Sequence, residues 1–181
     1  MIIGGTKIIS NYFRKVKWTL SIATPDDAAA IASVMNEAAQ HLTSLYGKGH
    51  WSYEVSERSV KTGITTYSKI LMAKQGNVII GTLRLTGKKP WAIDPSYFTK
   101  VARPVYLVDM AVLPGMQRKR VGEYMLKEAK IFALSLPADA IRLDAYDHEA
   151  GAGGFYRKCG FIERGHVVYR KSPLIYFEWL A

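Results

Sequence analysis

Cysteine is nearly absent: the chain of 181 residues has one, Cys159. No disulfide can therefore form within it, and the expectation is a cytoplasmic protein held by an apolar core. Long hydrophobic runs are missing too. None approaches the roughly 18–20 residues a membrane-crossing helix requires. In residues 1–19, Lys7, Arg14, Lys15 and Lys17 interrupt the apolar positions, which makes a poor signal peptide. Secreted, fibrous and membrane-spanning classes are thereby disfavoured. Acid is the scarcer charge, 15 Asp+Glu against 25 Lys+Arg, a net +10. Such an excess suits nucleic acid, an acidic membrane or an anionic small molecule. However, no eight-residue block is mostly basic and aromatics are not interleaved with basics, so neither nucleic acid nor membrane is the expected partner.

Several chemistries lack their residues. The four histidines (41, 50, 148 and 166) show no metal-ligand spacing, and one cysteine cannot complete a zinc cluster, so no metal is expected. There is no Gly-x-Ser-x-Gly elbow and no phosphate-binding Walker loop. Gly151-Ala152-Gly153-Gly154 has no third glycine where a dinucleotide fingerprint needs one.

What is present is ordinary globular composition, 49% hydrophobic and 22% charged. One domain over 1–181 is expected, with a core over about 18–179 and residues 1–17 as an N-terminal extension. Residues 18–23 alternate as a half-buried strand. Thr24-Pro25-Asp26-Asp27 is a helix start, with a capping hydroxyl, a proline at the first position and acids at the positive dipole end. Ala28, Ile31, Ala32, Met35, Ala39 and Leu42 then fall on one helical stripe that ends near Gly47 and Gly49. An aromatic loop (Tyr46, His50, Trp51, Tyr53) precedes a weaker helix reaching about Lys61. Apolar runs over 69–74 and 78–85 flank Gln75-Gly76-Asn77, a hairpin signal. Residues 88–104, with three prolines, read as a long ordered connection of the kind that often serves as a lid.

Residues 105–112 form a nearly continuous apolar run broken by Asp109, as expected of a strand buried on both faces. Leu113-Pro114-Gly115 turns the chain into a helix over 118–136. A strand over 141–146, a helix over 150–159 closed by Gly160, and strands at 161–162 and 167–179 complete the order. The fold class expected is α/β (α+β): a mixed, mostly antiparallel central sheet flanked by helices.

The informative segment is 109–125. A buried strand leads through a short turn to a basic helix start containing Gly122, where free N–H groups and the dipole favour an anion. Arg118, Lys119 and Arg120 would oppose that dipole unless an anion compensates. Gln117-x-x-Arg120-x-Gly122 resembles the Gln/Arg-x-x-Gly-x-Gly/Ala acetyl-CoA loop of the GNAT superfamily of N-acetyltransferases. Gly154-Phe155-Tyr156 with Gly160-Phe161 resembles its second signature, in the right order and with a strand between. The departures are Arg120 where the loop's first glycine belongs, and Glu149 where the family often has Asn.

This resemblance implies a GNAT-like fold and direct acetyl transfer from acetyl-CoA to a primary amine of a small molecule. The alternatives are acetylation of a protein N-terminus or lysine, and a non-catalytic acyl-CoA sensor. Main-chain N–H groups of Gln117, Arg118, Lys119, Arg120, Val121, Gly122 and Glu123 would hold the pyrophosphate. Strands 105–112 and 141–146 would splay, with backbone groups of Met110 and Val112 pairing with the pantetheine arm. The Met110 N–H is the candidate for polarising the thioester carbonyl and stabilising the oxyanion. Tyr156 is the candidate general acid for the CoA thiolate. Asp109 and Asp144, acids in apolar strands, are candidates for base or substrate-amine binding, with backbone or solvent contacts as the alternative. His148 and Glu149 are weaker candidates. The acceptor side would be built from residues 46–53 and 88–104, including Trp51, Tyr53, Trp91, Tyr97 and Phe98. Tyr169, Tyr176, Phe177 and Trp179 would either pair across a homodimer or cover the sheet.

Overall fold

The computed structural model describes residues 18–64 and 68–181, so the extension expected over 1–17 lies outside the described residues. β1 (Trp18–Ile22) leads to Thr24, whose main-chain N–H and hydroxyl donate to the Asp27 carboxylate at 2.9 and 3.0 Å. This cap opens α1 (Ala28–Tyr46), which stops where Gly47 turns to φ +77°. α2 (Glu57–Gly63) starts beneath the Ser56 hydroxyl, which accepts the Ser59 N–H at 3.2 Å. β2 (Ser68–Gln75) and β3 (Val78–Thr86) form the expected hairpin about Gly76, at φ +60°. Then come β4 (Pro104–Val112), α3 (Val121–Ser135), β5 (Ala140–Tyr146), α4 (Gly153–Lys158), β6 (Ile162–Tyr169) and β7 (Ser172–Leu180). Arg170 and Lys171, both left-handed, make the tight turn that divides the run over 167–179 into two strands.

The seven strands form one mixed sheet ordered β1-β2-β3-β4-β5-β7-β6, parallel only between β4 and β5. Side-chain alternation assigns the faces. On β2, Ile70 and Met72 join Ile31, Val34 and Val60 beneath α1 and α2. Leu71 and Ala73 face the other way, toward Met125, Leu126 and Ala129 of α3.

Three expectations need correction. The helix expected over 118–136 begins only at Val121, because Arg118 and Arg120 adopt left-handed φ of 57° and 66°. The helix expected over 150–159 is confined to α4. β4 is not buried along its length: Tyr106 and Leu107 are, whereas Asp109 is exposed, because β5 does not accompany the second half of the strand. β7 lies between β5 and β6, with Tyr176 and Phe177 buried in the sheet's own packing, as the sheet-covering alternative has it.

The 87–103 connection is a fixed cover rather than a lid. Ile93 and Phe98 pack against Tyr106 and Tyr176. The Tyr176 hydroxyl accepts the Asp94 N–H at 3.1 Å and donates to the Ala92 carbonyl. Glu178, fully buried, accepts from Arg142 Nε and Arg164 Nε, each at 2.9 Å, and from the Thr99 N–H at 3.2 Å. Burial works against that carboxylate's charge, but the hydrogen bonds from Thr99 and Arg142 outweigh it and hold its pKa below the ordinary value.

Candidate active site

β4 and β5 pair only through Pro104–Ala140, Val105–Ile141 and Tyr106–Arg142, and then separate. A bulge enlarges the gap. Thr82 pairs with Ala111 and Arg84 with Val108, so Asp109 and Met110 together stand opposite Leu83, with Asp109 at φ +53°. Such a bulge bends the strand and re-aims its groups. The splay expected from the sequence is present, and cavities open on both sides of it.

On one side is a cavity of about 400 Å³ lined by Met110, Val112, Arg118, Gly122, Phe155 and Tyr156 among others. Its rim is the turn into α3. The Met116 and Gln117 N–H groups fold back onto the Leu113 carbonyl at 2.8 and 3.1 Å. The Gln117 N–H is therefore unavailable to a phosphate, contrary to expectation. Its side-chain Nε2 instead donates to the Val112 carbonyl at 3.2 Å, leaving the Val112 N–H as the group a ligand would meet. From Arg118 to Glu123 the main-chain N–H groups find no acceptor among the described residues, and the first to do so is Tyr124, bonded to the Arg120 carbonyl at 3.0 Å. Left-handed Arg118 and Arg120 flank Lys119, the alternation that gathers N–H groups into an anion-binding nest. Each costs about 1–2 kcal/mol relative to right-handed backbone. Arg118, Arg120 and Glu123 line the cavity, and Lys119 is exposed outside it. Val121 is buried and can offer only its N–H. A Cβ on Gly122 would come within 2.9 Å of Phe155 Cζ and 3.4 Å of Met110 Cε, so a side chain there would displace the Phe155 ring.

On the other side is a second cavity of about 400 Å³, roofed by α1 and by the loop after it through Trp51, Tyr53 and Val55. Asp109, Met110, Asp144 and Tyr156 form its floor. Met110, Ala111 and Tyr156 line both cavities, so whatever joins the two passes them. The loop reaches across the gap: the His50 and Trp51 rings lie 4.6 and 5.5 Å from that of Tyr146 on β5. Beyond this cavity, behind Met35, Tyr53 and Asp109, a third of about 300 Å³ contains Thr82 and Arg84.

The sequence-picked residues hold different stations. The Tyr156 hydroxyl is buried and contacts the Met110 sulfur at 4.0 Å. Burial, reinforced by Asp144, pushes its pKa well above the tyrosine value and keeps it protonated at neutral pH. Burial also raises the Asp144 carboxyl, against a hydrogen bond from its own main-chain N–H, with the Asp109 charge adding to the rise. Asp109 is not the buried acid expected: it is exposed to the cavities and paired with Arg84. His148 and Glu149 are exposed and line neither cavity. Trp91, Tyr97 and Phe98 belong to the fixed connection and line none of the three cavities. Sequence reasoning missed Arg84, although it is the one charged residue in the apolar run of β3, the same signal that marked Asp109. His50, in the loop expected on the acceptor side, lines the second cavity, and burial lowers its pKa.

Residues 34–161 match the family model described as Acetyltransferase (GNAT) family. Among curated proteins, none matches the sequence. Solved structures share the fold. One is yncA, a putative acetyltransferase from Salmonella typhimurium with its cofactor acetyl-CoA, at 18% identity over 90% of this chain and 93% of that one, TM-score 0.65. Another is the paia N-acetyltransferase from Thermoplasma acidophilum in complex with coenzyme A, at 16% identity, 90% and 99% coverage and TM-score 0.69. The ribosomal-protein-S18-alanine N-acetyltransferase from Escherichia coli overlaps at 15% identity, 91% and 94% coverage and TM-score 0.69.

Proposed function

The chain belongs to the acetyltransferase (GNAT) family, and on that premise we propose that it transfers the acetyl group of acetyl-CoA directly to a primary amine of a small molecule. The single observation that carries this reading is the run of acceptor-free N–H groups from Arg118 to Glu123 on a cavity that meets a second cavity at Met110 and Tyr156. Two of the solved relatives hold CoA or its acetyl ester, and this rim has the donors a diphosphate needs.

Acetyl-CoA supplies the activated acyl group. The chain's residues bind, polarise and move protons. The nest at Arg118 to Glu123 fixes the diphosphate, Gly122 leaves room beside Phe155, and the Val112 N–H pairs with the pantetheine arm as an added strand would. The Met110 N–H lies at the bulge that joins the cavities and serves as the donor to the thioester oxygen as charge builds there, worth a few kcal/mol. Asp144 accepts the proton of the incoming ammonium, whose ordinary pKa near 10 keeps it charged in water. Its raised pKa makes it a better base than an ordinary carboxylate. Tyr156, held protonated, donates to the departing thiolate. Asp109 is a positioning residue held by Arg84.

The roof that residues 50–55 make over the second cavity favours a small acceptor over a polypeptide. The test is a panel of amines followed by thiol release from acetyl-CoA, with calorimetry of CoA binding. Turnover of free amines with heat from CoA supports the reading. Turnover confined to peptides moves the acceptor to protein. CoA binding without any turnover makes the chain a sensor, and no heat from CoA removes the assignment altogether.

A further inference from the structure

Six buried side-chain polar atoms lack a partner among the described residues, and three of them belong to residues lining the two acceptor-side cavities: Trp51 Nε1, Thr82 Oγ1 and Arg84 Nε. All three can donate a hydrogen bond, and none is an acceptor alone. Thr82 is only 1% exposed, so its hydroxyl has no solvent to satisfy it. A buried orphan donor costs free energy until a ligand or water meets it, and a group of them marks where acceptor oxygens belong. Arg84 uses one terminal nitrogen on Asp109, which neutralises that acid, and keeps its Nε edge free.

The register sets the geometry. Thr82 and Arg84 lie two residues apart on β3, on one face, opposite Ala111 and Val108, and Met110 lies between those partners. A two-residue step along a strand is about 7 Å. Asp109 lines both cavities, with Asp144 in one and its own partner Arg84 in the other, so an acceptor whose amine meets Asp144 has its other end directed toward the guanidinium. Around that end stand Ile31, Met35, Val60 and Ile70, an apolar wall.

Resting on the transferase reading above, we propose that the acceptor is an amino acid with an apolar side chain: its carboxylate is bound by Arg84 Nε and Thr82 Oγ1, its ammonium faces Asp144, and its side chain fills the inner cavity. One guanidinium serves two carboxylates, Asp109 at a terminal nitrogen and the substrate at Nε, while Asp144 faces the ammonium, so the five charges sum to −1.

The experiment presents apolar amino acids alongside their methyl esters and their decarboxylated amines, at matched pH, to the wild type and to Arg84→Gln and Thr82→Val. Thiol release from acetyl-CoA and the shift in melting temperature on ligand addition, in the presence of CoA, are both read. Expected is a kcat/KM for the free acid about ten- to a hundredfold above that of its ester, as a hydrogen bond to a charged group is worth. Arg84→Gln collapses that ratio, and Thr82→Val, which fits a buried site with little strain, lowers it about two- to tenfold. Thiol release indifferent to the carboxylate, or a ratio that survives both substitutions, overturns the inference and leaves the transferase standing. If no amine is turned over, the transferase reading fails. The melting shift then decides the binding site: a carboxylate-specific shift lost in Arg84→Gln keeps it, and equal shifts for acid and ester, or none, sink it.

Discussion

Tyr156→Phe should damage turnover while sparing the fold, and the structure sets both magnitudes. The phenol is buried, and its hydroxyl reaches a thioether at 4.0 Å, a weak acceptor at long range. Deleting it removes little hydrogen-bond energy and relieves a poorly satisfied polar group, so stability should change by no more than about 1 kcal/mol in either direction. For a chain this size that is a melting shift of about 4 °C at most. The ring contacts with Phe155, Phe161 and Phe177, at centroid distances of 5.3 to 5.8 Å, are unaffected. Loss of a positioned general acid, in contrast, should lower kcat by about 10²–10⁴-fold. The KM for acetyl-CoA should stay within about threefold, because the diphosphate grip lies at Arg118 to Glu123. The assay pairs steady-state thiol release with a thermal melt of the same preparation. A kcat within about threefold of wild type would refute the assignment. So would a large fall in kcat accompanied by a melting temperature more than about 10 °C lower, which would make Tyr156 a packing residue.

Three further outcomes follow from the same geometry. Asp144→Asn should lower kcat/KM at neutral pH and abolish an acid limb that in the wild type lies above the ordinary carboxylate range, since burial raises this pKa and only the ionised form is a base; an unchanged pH profile would assign the base elsewhere. Gly122→Ala should raise the KM for acetyl-CoA about tenfold with kcat little changed, because the new methyl, 2.9 Å from Phe155 Cζ, forces that ring into the cavity; calorimetry showing wild-type CoA affinity would contradict it. Glu178→Gln should cost about 3 kcal/mol, roughly 6–12 °C in melting temperature, by leaving the buried Arg142 without its counterion. Because the Glu178 pKa is depressed in the fold, its contribution is present above the unfolded carboxyl pKa and lost as pH falls through the folded value. The gap between wild type and variant should therefore close in acid, and melts across pH would show a constant gap if the pairing were immaterial.

Much of the molecule was legible in the chain because local physics wrote it there. Alternation marked β1, apolar runs marked β2 and β3, the Gly76 turn joined them, and Thr24 with Asp27 capped the first helix. A helix start with free N–H groups was readable from the sequence, and Tyr156 and Asp144 do lie beside the expected splay. Local signals misled where they met long-range geometry. A basic, apolar-striped run looks helical from residue 118, yet the chain reaches the cavity only by spending Arg118 and Arg120 in left-handed backbone, which also takes the Gln117 N–H out of the nest. An acid in an apolar strand looks buried, but Asp109 stands on a bulge where β5 has diverged and Arg84 meets it.

The sequence by itself determined the order of elements, the sheet's mixed character and the chemistry available along it, because periodicity, caps and turn residues act over a few neighbours. Only the tertiary structure decided which side chains share a cavity. Arg84 and Thr82 come from one strand, Asp144 from another and Trp51 from a loop, and their gathering around two adjoining cavities depends on a register shift and a divergence between strands that no local pattern encodes. It also decided that residues 87–103 are fixed to the sheet by Glu178 and Tyr176, because a proline-rich connection carries no local mark of the surface on which it will settle.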